Sequence, residues 1–160
     1  MIKKEYVFNF LVFCIIIISQ IYVPVVRIGQ IQIYPDIYLV YITVISLIYG
    51  RFPALIVGFL SGLIQDFSTQ SDLLGIFLLS KSISAYFLGT IFNYANIWSY
   101  RVKVFVLVSA YFIHFFIYCY LLSRSFIDFY YFLIFIIIQT CISSILFFLT
   151  NNLVYRNKLL

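Results

Sequence analysis

Charge is so sparse in this 160-residue chain that it cuts the sequence into spans. Ten basic and five acidic side chains interrupt runs of Ile, Leu, Phe, Val and Tyr, and hydrophobic residues make up 65% of the chain against 9% charged. A hydrocarbon core about 30 Å thick is crossed by about 20 mostly apolar residues in a helix. The stretches 6–26, 82–100, 104–123 and 129–155 carry no charge and reach that length. Two more uncharged runs, 37–50 and 52–65, hold 14 residues each, about 21 Å as helix. Each is extended by an interfacial Tyr, Pro or Asp, and the turn Gly50-Arg51-Phe52-Pro53 joins them. Gly frees the backbone at a helix end, and Pro suits the first turn of the next helix. The chain therefore reads as an all-α integral membrane protein, a single polytopic domain over 1–160. Its six transmembrane helices are expected at 6–26, 36–50, 53–66, 73–95, 104–123 and 129–154. Lys3 and Lys4 before an apolar stretch resemble a signal peptide. That stretch exceeds 20 residues and lacks a small-residue cleavage site, so a retained first helix is expected.

Six crossings place both termini on one side. Lys3, Lys4, Arg51, Arg101, Lys103, Arg156 and Lys158 fall on that side, whereas Arg27 and Arg124 fall on the other with Asp36, Asp66, Asp72 and Asp128. Cytoplasmic loops hold the excess of Lys and Arg, so both termini are expected in the cytoplasm. A re-entrant hairpin over 37–65 is the competing layout. It would leave Arg51 inside the membrane at a cost of several kcal/mol, which favours two true spans.

The net charge of +5 does not indicate nucleic-acid binding, because the basic residues are scattered at helix ends. Cys14, Cys119 and Cys141 lie inside apolar runs without metal-like spacing and read as small hydrophobes. No Gly-x-Ser-x-Gly elbow, P-loop or intrahelical carboxylate pair is present, so no catalytic residue, metal or cofactor is assigned and an enzyme is not expected. The aspartates, all at the outer face, read as solvated structural groups.

Several residues break the apolar pattern. Gly58, Ser61, Gly62 and Gln65 share one helical stripe, and small residues let helices approach closely where lipid supplies no hydrophobic drive. That stripe serves packing within the chain or docking of another protein's helix. Lys81, about 12 Å into a helix starting at residue 73, is the most costly side chain, at about 2.5–3.5 kcal/mol near mid-membrane. Its nearest acidic partners by sequence are Asp66 and Asp72; alternatively 82–100 spans nearly alone and Lys81 snorkels to the interface. His114, with Tyr111 and Tyr118 at helical spacing, reads as a hydrogen-bonded packing residue. Gln139, Thr140, Ser143 and Ser144 read as interhelical glue, and Thr150, Asn151 and Asn152 as residues nearing the inner surface.

The stretch from Tyr34 to Gly75 carries a family likeness. It contains Tyr34-Pro35-Asp36, Leu47-Ile48-Tyr49-Gly50-Arg51, Gly58-Phe59-Leu60-Ser61-Gly62-Leu63-Ile64-Gln65-Asp66 and Leu74-Gly75. This resembles the rod shape-determining MreD family, with its Pro-Asp opening on the second helix, Gly-Arg-like turn, Gly-x-x-x-Gly helix ending in Asp, and Leu-Gly pair before the fourth helix. The resemblance implies a six-helix fold similar to the substrate-binding S-component of energy-coupling-factor transporters. It also implies partnership with MreC, and around them the MreB filament and the elongation glycosyltransferase/penicillin-binding protein pair. The function so implied is a non-enzymatic scaffold of the cell-elongation complex in the bacterial inner membrane. There it would help to control cell shape and peptidoglycan synthesis, with membrane lipid around it and a homo-oligomer left open. The rival expectation is a small-molecule-binding subunit of a membrane transporter, with a polar pocket centred on Lys81.

Overall fold

The computed structural model describes residues 4–24, 26–28, 31–69, 74–122, 129–154 and 160. The expectations for Lys3, Asp72, Arg124, Asp128, Arg156 and Lys158 lie outside these residues. The described residues form helices α1 (Lys4–Ile21), α2 (Ile37–Tyr49), α3 (Arg51–Thr69), α4 (Ile76–Asn93), α5 (Tyr100–Leu122) and α6 (Phe129–Leu153). Helices α3 to α6 are each long and apolar enough to cross a membrane. Between α1 and α2 lies a short antiparallel ribbon, β1 (Val26–Ile28) and β2 (Ile31–Ile33), which the helical reading did not anticipate. The first helix therefore stops short of residue 26. Pro24 supplies no backbone N–H and disfavours helical geometry at Val23.

The short helix α2 is the centre of the molecule. It packs against α1, α3, α4 and α6, and every residue from Tyr38 to Ser46 is buried. A helix that is apolar on all sides belongs inside a bundle. Here that placement also explains the length, because a helix surrounded by protein need not match the bilayer. Its first turn is satisfied from two directions. Asp36 accepts a hydrogen bond from the Leu39 N–H at 3.1 Å. Gln20 of α1 accepts from the Ile37 N–H at 2.8 Å and donates to the Pro35 carbonyl at 3.1 Å. At the other end of α2, the Asn9 amide donates to the Tyr49 hydroxyl at 2.7 Å, and the Tyr41 hydroxyl donates to the Asn9 carbonyl at 3.0 Å. Polar clasps thus hold α1 to α2 near both ends. Substituting Gln20 by Leu leaves the Ile37 N–H without this partner. The expected loss is about 1–3 kcal/mol, read as a lowered thermal midpoint in detergent with α1 becoming the first segment open to protease.

A single residue, Gly50, separates α2 from α3. Its φ of 85° suits glycine, and a Cβ there would meet the Phe92 ring at 2.9 Å. The expected four-residue turn is thus shorter than read: Arg51, Phe52 and Pro53 already form the first turn of α3, which continues past residue 66 to Thr69. Glycines set how α3 meets α4. A Cβ on Gly62 would lie 2.5 Å from the Leu78 Cα, one on Gly58 3.1 Å from the Lys81 carbonyl oxygen, and one on Gly89 2.5 Å from the Arg51 Cα. These contacts run along most of α4, and α3 is one continuous helix of 19 residues. Gly75, at φ 100°, turns the chain into α4, which begins at Ile76 and ends at Asn93 within the expected 73–95.

Candidate functional site

Three ionisable side chains from different parts of the chain meet inside this bundle. Asp36 sits at the mouth of α2, Lys81 in the second turn of α4 and His114 midway along α5. The Lys81 ammonium donates to both Asp36 oxygens, at 2.7 and 2.8 Å. The His114 Nε2 lies 3.4 Å from Asp36 Oδ2. Lys81 is 0% exposed, and Asp36 and His114 are each 1% exposed. The Tyr38 ring centroid lies 4.6 Å from the Lys81 nitrogen, so an aromatic face covers part of the ammonium.

The geometry accounts for how such charges are tolerated. Removing an ion from water costs several kcal/mol, and mutual attraction offsets this only when the geometry is good and further hydrogen bonds are made. Asp36 meets both conditions. It accepts two charge-assisted bonds from Lys81, caps the Leu39 N–H, and places its negative charge at the positive end of the α2 dipole.

This arrangement corrects two expectations. Lys81 neither snorkels to an interface nor pairs with Asp66; its partner is Asp36, 45 positions earlier. Nor are the aspartates at positions 36 and 66 solvated, since both are buried. Asp66 closes the start of α4, one oxygen accepting from the Phe77 N–H at 3.1 Å and the other from the Leu78 N–H at 3.0 Å. Both aspartates thus work at helix N-termini, where backbone donors otherwise lack partners.

A second polar layer surrounds the cluster. The Tyr111 hydroxyl and Thr43 Oγ1 are 2.7 Å apart, tying α5 to α2. Ser84 donates to the Ser80 carbonyl at 2.8 Å and to the Ala110 carbonyl at 3.2 Å, linking α4 to α5. Tyr118 stacks on Phe77 and meets the edge of Tyr34. The Gln139 amide, turned so that donor faces acceptor, pairs with the Tyr34 carbonyl at 3.0 Å and the Tyr34 N–H at 3.1 Å. Of the α6 patch, Gln139 is thus the residue that joins elements. Ser144 bonds back to the Thr140 carbonyl within α6, and the Thr140 and Ser143 hydroxyls are buried with no hydrogen-bond partner among the described residues. Asn151, near the end of α6, is buried.

Of the other singled-out residues, Gly58, Ser61, Gly62 and Gln65 are all buried, and the two glycines abut α4. The stripe is consumed by the chain's own helix. Arg51 places its guanidinium 4.3 Å above the Tyr86 ring on α4. Pro35 precedes the capping Asp36 and gives its carbonyl to Gln20. Among the described residues no group of three or more His, Cys, Asp or Glu side chains is arranged to hold a metal. The cluster is thus a closed electrostatic tie between α2, α4 and α5.

Sequence reasoning found Lys81 and His114 but not their common partner. The available signal was chemical: a buried cation demands a counter-charge, and Asp36 was one of four aspartates on the matching side. Gln20, Asn9 and Tyr111 went unnoticed as clasps, because one amide or hydroxyl in an apolar run does not disclose which helix it faces. No family model, curated protein or solved structure matches the chain.

Proposed function

We propose that this chain is a non-enzymatic scaffold of the cell-elongation machinery, a six-span protein of the bacterial inner membrane with both termini cytoplasmic. On this reading it resembles MreD in role as well as motif. It docks MreC, and through MreC it acts on the MreB filament and on the glycosyltransferase/penicillin-binding protein pair. The observation that supports it best is that the motif positions perform structural tasks. Asp36 caps α2 and neutralises Lys81, Gly50 makes the one-residue turn, Gly62 admits α4, Asp66 caps α4, and Gly75 takes positive φ. Such a bundle keeps its chemistry inward and offers partners a stiff outer surface.

With the Gly58/Gly62 stripe filled, a partner helix must use a lipid-facing side. Along α5, Phe112, Phe116 and Tyr120 form an exposed ladder of stacked rings, 6.4 and 6.1 Å between successive centroids. We assign the MreC helix to this ladder. The transporter-subunit reading has less support, because the Lys81 ammonium is engaged by Asp36 and fully buried.

Co-purification in mild detergent tests the proposal. The wild-type chain is expected to carry MreC, and replacing Phe112 and Tyr120 together by Ala, which leaves the Phe116–Phe132 contact between α5 and α6 in place, should reduce recovery at least tenfold with helicity retained. Depletion should convert rods to spheres. No MreC recovered by the wild type, with cell shape unchanged on depletion, would reject the scaffold. Stabilisation by a member of a vitamin panel would support the transporter subunit instead.

A further inference from the structure

The seat that receives the Lys81 ammonium is assembled by residues outside α4. Asp36 Oδ1 accepts from the Leu39 N–H at 3.1 Å, and Oδ2 lies 3.4 Å from His114 Nε2 on α5. Gln20 of α1 fixes the backbone on either side of Asp36, through the Pro35 carbonyl and the Ile37 N–H. The carboxylate is therefore held from α1, α2 and α5, and it keeps its place when the Lys81 side chain is cut back. A group fixed in advance in this way loses little further freedom when a ligand arrives.

The chemistry of the seat selects its occupant. A primary ammonium carries three N–H donors. Two of them reach the Asp36 oxygens at 2.7 and 2.8 Å, and the Tyr38 ring centroid lies 4.6 Å from the nitrogen. A pocket centred on a lysine suggests an anion, but the carboxylate that lines this one reverses the sign. A quaternary ammonium is drawn to an aromatic face, yet it has no N–H to give to two oxygens. A neutral alcohol leaves the buried carboxylate without a counter-charge.

We propose that Asp36, Tyr38 and His114 form a binding site for a primary alkylammonium ion, filled in this chain by its own Lys81. Lys81→Ala opens the site to a free amine. The atoms removed are three carbons and the nitrogen, so ethylammonium, one carbon shorter, enters without overpacking. The site does not rest on the scaffold reading, and its test involves no partner protein.

The test uses the full chain in neutral detergent, with ethylammonium as the probe and ethanol and tetramethylammonium as controls at matched concentration and ionic strength. Ethylammonium at about tenfold over its dissociation constant should raise the thermal midpoint of Lys81→Ala by about 4 °C. The wild type, whose site is filled, should not respond. Adding Asp36→Asn to the Lys81→Ala background should abolish the shift. An equal shift with ethanol or tetramethylammonium, or one that survives Asp36→Asn, would show only a filled cavity and overturn the site. So would the absence of any shift. Should Lys81→Ala fail to fold alone, it is purified with either ethylammonium or sodium in every buffer. Greater recovery of folded protein with ethylammonium supports the site, and equal recovery overturns it.

Discussion

Lys81→Met and Asp36→Asn are each expected to destabilise this protein by about 3–5 kcal/mol, while the double variant recovers most of that loss. The reason lies in what each change leaves behind. Removing one member of a buried ion pair strands the other charge in a low-dielectric interior, whereas removing both strands nothing. Asn at position 36 retains an oxygen to accept from the Leu39 N–H, so the α2 cap survives in both backgrounds. Met is close to Lys in length and volume and fills its place without a cavity. Unfolding measured in detergent across the four proteins gives the coupling directly. If the two losses simply add, the 2.7 and 2.8 Å contacts are not what holds α2 to α4.

The second large effect separates two glycines four residues apart. Gly62→Ala should be severe and Gly58→Ala mild, although both belong to one small-residue motif. At Gly62 the new methyl would lie 2.5 Å from the Leu78 Cα and 2.7 Å from its nitrogen, so backbone must move. The helices would separate, straining the two hydrogen bonds that Asp66 makes to Phe77 and Leu78. Overpacking alone costs about 1–3 kcal/mol, and the weakened cap adds about 1 kcal/mol. At Gly58 the nearest atoms lie at 3.0 and 3.1 Å, so a few tenths of an ångström relieves them, and the gain in helix propensity offsets part of the strain. Thermal midpoints of the two Ala variants should therefore differ clearly. Equal midpoints would show that helix spacing is set elsewhere.

Helix positions were legible in the sequence because lipid-length apolar runs and charged gaps are strong signals, and the last two helices fall within a few residues of the expected limits. The start of α2 was legible in Asp36, and its end in Gly50. What could not be read was centrality. Residues 37–50 looked like a short span needing interfacial extension, yet the helix is short because protein surrounds it. Nor could the pairing of Lys81 be read, since hydropathy gives depth along the membrane normal but not azimuth around a helix. Asp66 was nearer in the chain and Asp36 nearer in space. The ribbon after Pro24 escaped for another reason. Its residues continue the Ile and Val composition of the helix before it, and composition alone does not say where the hydrogen-bond pattern changes.

The tie between α2 and α4 also bears on how the polypeptide enters the bilayer. Lys81, in the second turn of α4, is a cation that lipid alone would leave unpaired, which makes solitary release of α4 into lipid costly. Its counter-ion emerges from the ribosome earlier, on a helix of only 13 residues that is itself too short to be committed alone. Each segment thus relieves the other's defect only once α2 and α4 are packed together.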